Sequence, residues 1–370
     1  MGWMKEHRSE PSRALLEREL LPFLGQDPSL PLHPYVELVK SREELALCFR
    51  GNDPRAPRIC IYSGNHIVFT VYTNGKTVIS FDHARYCEHW QRYFHRLTEE
   101  FGFSGRIRRT SKGHISVGTM SRFPANSPPL ERSQLQELYH TILRPIFDAY
   151  FSAGTQGQAV DYFRQGALVR VPERLEKRRQ QELFRKFTFT KNGYFFYDME
   201  FSQRHEDMAS QRSDQTNNKP DMLAIRFDPQ GQSERLVFVE VKSTKAAMRG
   251  ASGLVEHLGK MERYEHLADR RREACQLMNQ YAQLGLRGLS PQVFFPWEDF
   301  EHLPLELLLV FTDEAAELWQ NHPTFAALRR RTSEVTIPEC PEARLFALAP
   351  SLSGAHAPGK TGNTMNERGY

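Results

Sequence analysis

No run of about 18 apolar residues occurs in the chain, so no segment is long enough to cross a bilayer as a helix. Cysteine is sparse: the five residues at 48, 60, 87, 275 and 340 are odd in number, scattered, and never arranged Cys-x-x-Cys. They read as reduced thiols rather than a disulfide framework or a zinc site. The fourteen histidines include no His-Glu-x-x-His, and His83, His89 and His95 recur every six positions, which does not place them on one helical face. Residues 1–8 lack the apolar core of a signal peptide, so a cytoplasmic protein that does not engage membranes is expected. Internal repeats are also missing. Acidic residues are absent from one stretch, 101–122, and that absence is informative below.

What remains is ordinary in composition: 370 residues, 25% charged, 39% apolar, with a net charge of +4. That length accommodates two domains with their own cores. Glycines at 154 and 157 suggest a boundary, giving an N-terminal domain over 1–153, a second domain over 158–350, and a small, polar tail over 351–370 expected to be disordered. In the first domain, 14–24 is amphipathic, 35–40 reads as a strand, and Ser41-Arg42-Glu43-Glu44 reads as a capping box opening a short helix. Strands over 58–63, 66–73 and 77–82, joined by Gly64-Asn65 and Asn74-Gly75 as two-residue turns, form an antiparallel meander. An aromatic-rich helix over 84–101, a hairpin over 106–120, and a helix over 130–150 kinked at Pro145 complete an α+β unit.

The second domain begins with a basic helix over 172–187 and a strand over 194–203, followed by a polar loop over 204–219. Pro220-Asp221-Met222-Leu223-Ala224-Ile225-Arg226-Phe227 and Leu236-Val237-Phe238-Val239-Glu240-Val241-Lys242-Ser243-Thr244 are apolar on both faces and separated by the turn Asp228-Pro229-Gln230-Gly231-Gln232. They form a hairpin buried in a sheet. A long helix over 252–284 places Leu254, Leu258, Met261, Tyr264 and Ala268 at helical spacing, and a strand follows over 305–312. Residues 314–350 add a helix and two short strands. With a period of two, Glu240 and Lys242 share a face, and Asp221 can lie across from them. Three charges in an apolar hairpin need a compensating partner, and a divalent metal held by the two carboxylates is an economical one. The plainer alternative is a surface hairpin with a Glu/Lys pair, but it lacks a solvated face around Glu240.

Pro220-Asp221, followed nineteen positions later by Glu240-Val241-Lys242, resembles the signature of the PD-(D/E)xK nuclease superfamily over residues 165–315. The resemblance implies an α/β restriction-endonuclease-like core of order αβββαβ, with a mixed sheet flanked by helices. It implies a nuclease acting on DNA, or on RNA, with Asp221, Glu240 and the Val241 carbonyl holding Mg²⁺ or Mn²⁺ and Lys242 orienting the attacking water. It also implies a role in prokaryotic antiviral defence or repair. The family carries a further upstream acid. Glu200 on the strand 194–203 is preferred over Glu182, which reads as a helix charge paired with neighbouring arginines; Gln203 and His205 are weaker candidates. Ser243, Thr244 and Lys245 either contact phosphate or simply end a strand.

Arg106, Arg108, Arg109 and Lys112 lie in the acid-free stretch, interleaved with glycine and aromatic residues, and are candidate nucleic-acid contacts. Residues 164–191 add nine Lys/Arg against three Glu. A homo-oligomer or a regulatory partner protein is left open, as is a non-cleaving nucleic-acid-binding protein on the same fold. The string Gly354-Ala355-His356-Ala357-Pro358-Gly359-Lys360-Thr361 matches a phosphate loop by letter only, since no buried strand precedes it and only nine residues follow.

Overall fold

The computed structural model describes residues 12–145 apart from 28, 30, 54, 64–65, 81–94 and 110–114, and then 175–199, 220–248, 254–261, 267–336, 341 and 343–348. Two short helices lead into the first sheet: α1 (Glu17–Leu24), closed by Gly25 at φ 74°, and α2 (His33–Lys40). A strand was expected over 35–40, but Pro34 sits in the first helical turn, where its missing N–H costs nothing, and Tyr35, Val36, Leu38 and Val39 bury one side. Ser41 closes this helix instead of opening another, its hydroxyl donating to the Leu38 carbonyl at 2.9 Å. The residues after it form β1 (Leu45–Arg50), buried along its whole length, a pattern with no polar face for a short surface helix.

β2 (Arg58–Ser63), β3 (His66–Tyr72) and β4 (Thr77–Ser80) continue the antiparallel meander. The β3–β4 turn is one residue longer than expected. The Tyr72 N–H donates to the Lys76 carbonyl and the Gly75 N–H to the Tyr72 carbonyl, both at 2.9 Å, with Gly75 at φ 84°. That is a turn followed by a left-handed glycine, which lets the strands keep their twist. β5 (Ser104–Arg109) and β6 (Ile115–Arg122) form the expected hairpin and join through β6, giving the order β1-β2-β3-β4-β6-β5. α3 (Arg132–Leu138) runs into a π-helical turn over Tyr139–Leu143, where the Arg144 N–H reaches the Tyr139 carbonyl. Pro145 offers no N–H to the carbonyl four residues back, and the widened turn accommodates it. Of the helix expected over 84–101, residues 95–99 are helical; 81–94, the boundary at 154–157 and the tail 351–370 lie outside the described residues.

The second sheet has the order β11-β12-β10-β9-β8-β7. Its elements are α4 (Leu175–Lys186), β7 (Tyr194–Met199), β8 (Met222–Phe227), β9 (Ser233–Lys242), α5 (Leu254–Met261), α6 (Leu267–Gln283), β10 (Leu305–Phe311), α7 (Asp313–Asn321), β11 (Thr332–Val335) and β12 (Arg344–Leu348). β7, β8 and β9 are antiparallel neighbours, and β10 runs parallel to β9, as the intervening helices require. The β8–β9 turn is held by Asp228, whose Oδ1 accepts from the Gln230 and Gln232 N–H groups at 2.9 and 2.8 Å. The single helix expected over 252–284 is described as α5 and α6. Leu254, Leu258 and Met261 are buried as expected, Ala268 is exposed, and Tyr264 lies outside the described residues.

The two sheets share one hydrophobic core among the described residues. β1 and β7, each the last strand of its sheet, approach one another, and the Tyr281 hydroxyl of α6 donates to the Leu47 carbonyl of β1 and the Tyr197 carbonyl of β7 at 3.0 and 3.1 Å. A bulge between Phe196 and Asp198 lets β7 turn toward that contact, and all six of its residues are buried. Residues 12–15 lie along α6, where Glu273, Gln276 and Gln280 bind Arg13, Ser12 and Leu15 in turn.

Candidate active site

β9 is an interior strand, paired on both sides, so its apolar residues are buried regardless of which face they occupy. Glu240 is 0% exposed and Lys242 3% exposed, and their side chains form an ion pair of 2.5 Å. The surface-hairpin alternative fails for this reason: both charges sit in the interior of the sheet. Two buried charges in contact are tolerable only because each offsets the desolvation of the other.

Asp221 immediately precedes β8, at the end of the β8–β9 ladder, whose last pair is Met222 with Val239. Beyond that pair Val241 has no β8 backbone to meet, and Asp221 Oδ2 accepts its N–H at 2.9 Å. A residue's N–H and C=O leave the strand on one side, so the Val241 carbonyl faces this same edge. The Lys242 carbonyl faces the other edge, where it accepts from the Thr312 N–H at 3.0 Å. Asp221 is half-buried, so it is the more solvent-accessible of the three charged residues. Asp221, Glu240 and the Val241 carbonyl are all oxygen donors, which suits a hard divalent cation that keeps water and phosphate in the rest of its shell. Among the described residues no group of three or more His, Cys, Asp or Glu side chains converges, so a cation here would rest on two carboxylates.

The polar residues after Lys242 end the strand. Ser243 is buried with its hydroxyl 2.9 Å from that of Thr312, and Thr244 Oγ1 accepts from the Ala247 N–H at 3.2 Å, starting a 3-10 turn. Lys245 is exposed, 3.8 Å from Glu317. Glu182 takes up the expected helix pair, 2.6 Å from Arg179. Glu200, Gln203 and His205 lie outside the described residues. Asp198, on the same strand as the expected upstream acid, is committed elsewhere: Arg13 and Arg50 both bind its carboxylate, with Arg50 at 2.7 Å. Arg106, Arg108 and Arg109 have their backbone on β5; their side chains, and Lys112 altogether, lie outside the described residues.

Sequence reasoning did not find Arg179 beside this end of the sheet. It forks onto Asp313, with bonds of 3.1 and 3.2 Å, directly after Thr312, the residue that follows β10. Those hydrogen bonds to the Asp313 carboxylate raise the guanidinium above its ordinary value, against the effect of burial. Asp313 adopts φ 52°, a left-handed backbone that Asp tolerates better than most residues. The only signal in the sequence was Thr312-Asp313-Glu314, a helix start whose partner lies 134 residues away.

No family model, curated protein or solved structure matches this chain.

Proposed function

We propose that the chain is a metal-dependent nuclease that hydrolyses phosphodiester bonds, with DNA as its substrate. The observation that supports this best is that Asp221, at the end of β8, accepts the Val241 N–H of β9, with the charges on either side of Val241, Glu240 and Lys242, buried as a pair. The order around them, one helix, three strands, two helices and a strand, is compatible with a restriction-endonuclease-like core. Asp221, Glu240 and the Val241 carbonyl would hold Mg²⁺, or Mn²⁺ in its place. When bound, the cation would stabilise the charge that develops on the phosphoryl oxygens. Lys242, ion-paired with Glu240, would orient the attacking water and balance the phosphate. The water oxygen forms the new P–O bond, the sugar oxygen leaves, and the proton lost by water ends on the departing alcohol.

Asp221→Asn is the informative variant. It removes the carboxylate charge but keeps an oxygen for the Val241 N–H, so folding should survive. The measurement is cleavage of closed-circular DNA, linear DNA and RNA with Mg²⁺ or with EDTA. The wild type should cut in Mg²⁺ alone, and the variant should lose at least about 100-fold, the scale set by removing one preorganised electrostatic contact. Cutting that persists in EDTA, or at the wild-type rate in Asp221→Asn, overturns the assignment. Binding of nucleic acid without cleavage by the wild type would favour the non-cleaving alternative.

A further inference from the structure

α4 ends at a second cluster of charge, built from segments far apart in the chain. A cleft of about 710 Å³ lies between the α2–β1 connection, the last turn of α4 and the loop after α6. Lys40, Arg42, Arg185, Lys186 and Arg287 line it, against one carboxylate, Glu43. Among the described residues no carboxylate pairs with Arg42, Arg185 or Arg287, and each of the three has a buried Nε with no hydrogen-bond acceptor. Buried donors of this kind are usually satisfied. Three arginines in one cleft without a carboxylate partner among the described residues therefore point to an anion as the missing component.

Three of these cations have structural work as well. Arg185 and Lys186 occupy the last turn of α4, where cations suit the helix dipole. Arg287 packs 3.7 Å from the Phe184 ring centroid and donates to the Phe187 carbonyl at 2.8 Å, closing the same helix. Those roles place the guanidinium groups but do not neutralise them. Burial pushes Arg287 down to about 10, the mark of a cation enclosed without a sufficient counter-charge. Nearby His140 is held below its ordinary value by burial and then by Arg42 and Arg144, which reports a positive field on the α2 side. Leu45, Leu47 and Leu286 give the cleft an apolar wall.

We propose that this cleft binds a phosphorylated small molecule of nucleotide size, its phosphates on Arg42 and Arg185 and its organic part on the apolar wall. The volume falls within the range of small-ligand sites, about 300–1,000 Å³, which commonly form where two parts of a chain meet. Arg185 lies six residues beyond Arg179 on α4, about 9 Å along the helix, so the same helix carries both the Asp313 pair and this cleft, whose lining includes neither Asp221 nor Glu240.

The test is titration calorimetry on the full chain in EDTA, with ATP, inorganic tripolyphosphate and a short single-stranded oligodeoxynucleotide as separate titrants. One equivalent of ATP should bind and tripolyphosphate should compete with it. Arg42→Gln and Arg185→Gln should each weaken binding at least about tenfold, the worth of one charge-assisted contact. Arg185→Glu should abolish it, with thermal melting confirming that each variant is folded. Asp221→Asn should bind ATP as the wild type does, which separates this site from the nuclease assignment. The proposal is overturned if neither phosphate compound gives a saturable signal, if folded Arg185→Glu binds normally, or if only the oligonucleotide saturates. That last result would make the cleft part of a nucleic-acid path.

Discussion

Cys48 and Cys60 face each other across β1 and β2, and both are buried, as is Cys275 on α6. Burial pushes the Cys48 thiol from its ordinary 9.0 up to about 12, with the Arg50 cation opposing the rise, and Cys275 up to about 11. Thiolate is the reactive form, so at pH 8 these two residues should resist alkylation in the folded protein. Iodoacetamide labelling read by peptide mass spectrometry checks this, and rapid labelling of Cys48 without unfolding would contradict it. The sign of the linkage follows. Above about pH 9 the unfolded chain loses these protons while the folded one keeps them, so stability should decline as pH rises from there toward 11. At this same scale the reduced state of the described cysteines was legible from count and spacing. The fate of Asp198 was not, because an acid on a strand looks the same whether it meets a metal or two arginines.

Among the elements, the β8–β9 hairpin was readable because its information is local. A turn built on Asp228 and Gly231 sets the register, and alternation then puts Glu240 and Lys242 on one face. α2 was misread for the opposite reason: eight residues are too few for periodicity to separate helix from strand, and burial against α1, α3 and β1 decided it. The N-terminal segment is an element that packs directly on one glycine. The Gly51 N–H donates to the Arg13 carbonyl at 2.8 Å, and a Cβ at position 51 would run into the Ala14 carbonyl oxygen. Backbone cannot swing aside as a flexible side chain can, and Gln280 holds Leu15 in place on α6. Gly51→Ala should therefore cost about 1–3 kcal/mol, the range for overpacking a fitted contact. Urea unfolding measures it, and a change below about 0.5 kcal/mol, the level of a neutral surface substitution, would show that the segment adjusts freely.

For the whole molecule, the buried cluster of Arg13, Arg50 and Asp198 joins what looked from the sequence like two independent halves. Arg50 also donates to the Met199 carbonyl at 2.8 Å, so it binds both the side chain and the backbone at the end of β7. Burial works against its charge, but Asp198 together with Tyr62, Cys48 and Cys60 outweighs it and raises the guanidinium well above its ordinary value. Asp198→Asn would leave two buried cations with a neutral amide. It should destabilise the fold by about 3–5 kcal/mol, as removing one partner of a buried pair does. The loss should be the same by circular dichroism and by tryptophan fluorescence, since a shared core unfolds as one unit. Two separated transitions, or a loss below about 1 kcal/mol, would mean that the halves are held together by something else.

The sequence by itself determined the features encoded by neighbours. These include the meander and the hairpins, the buried β9 with Glu240 and Lys242 on one side, and the basic helix ahead of β7. Period-two alternation, glycine at left-handed turns and helical spacing all act over a few residues, so a single sequence carries them. Only the tertiary structure decided that Asp221 caps the Val241 N–H, that Arg179 locks onto Asp313, that Asp198 serves the core, and that Arg42, Arg185 and Arg287 share a cleft. Most of these depend on partners more than a hundred residues apart, where the pairing of charges is chosen by how sheets and helices pack. Local pattern carries no record of that choice.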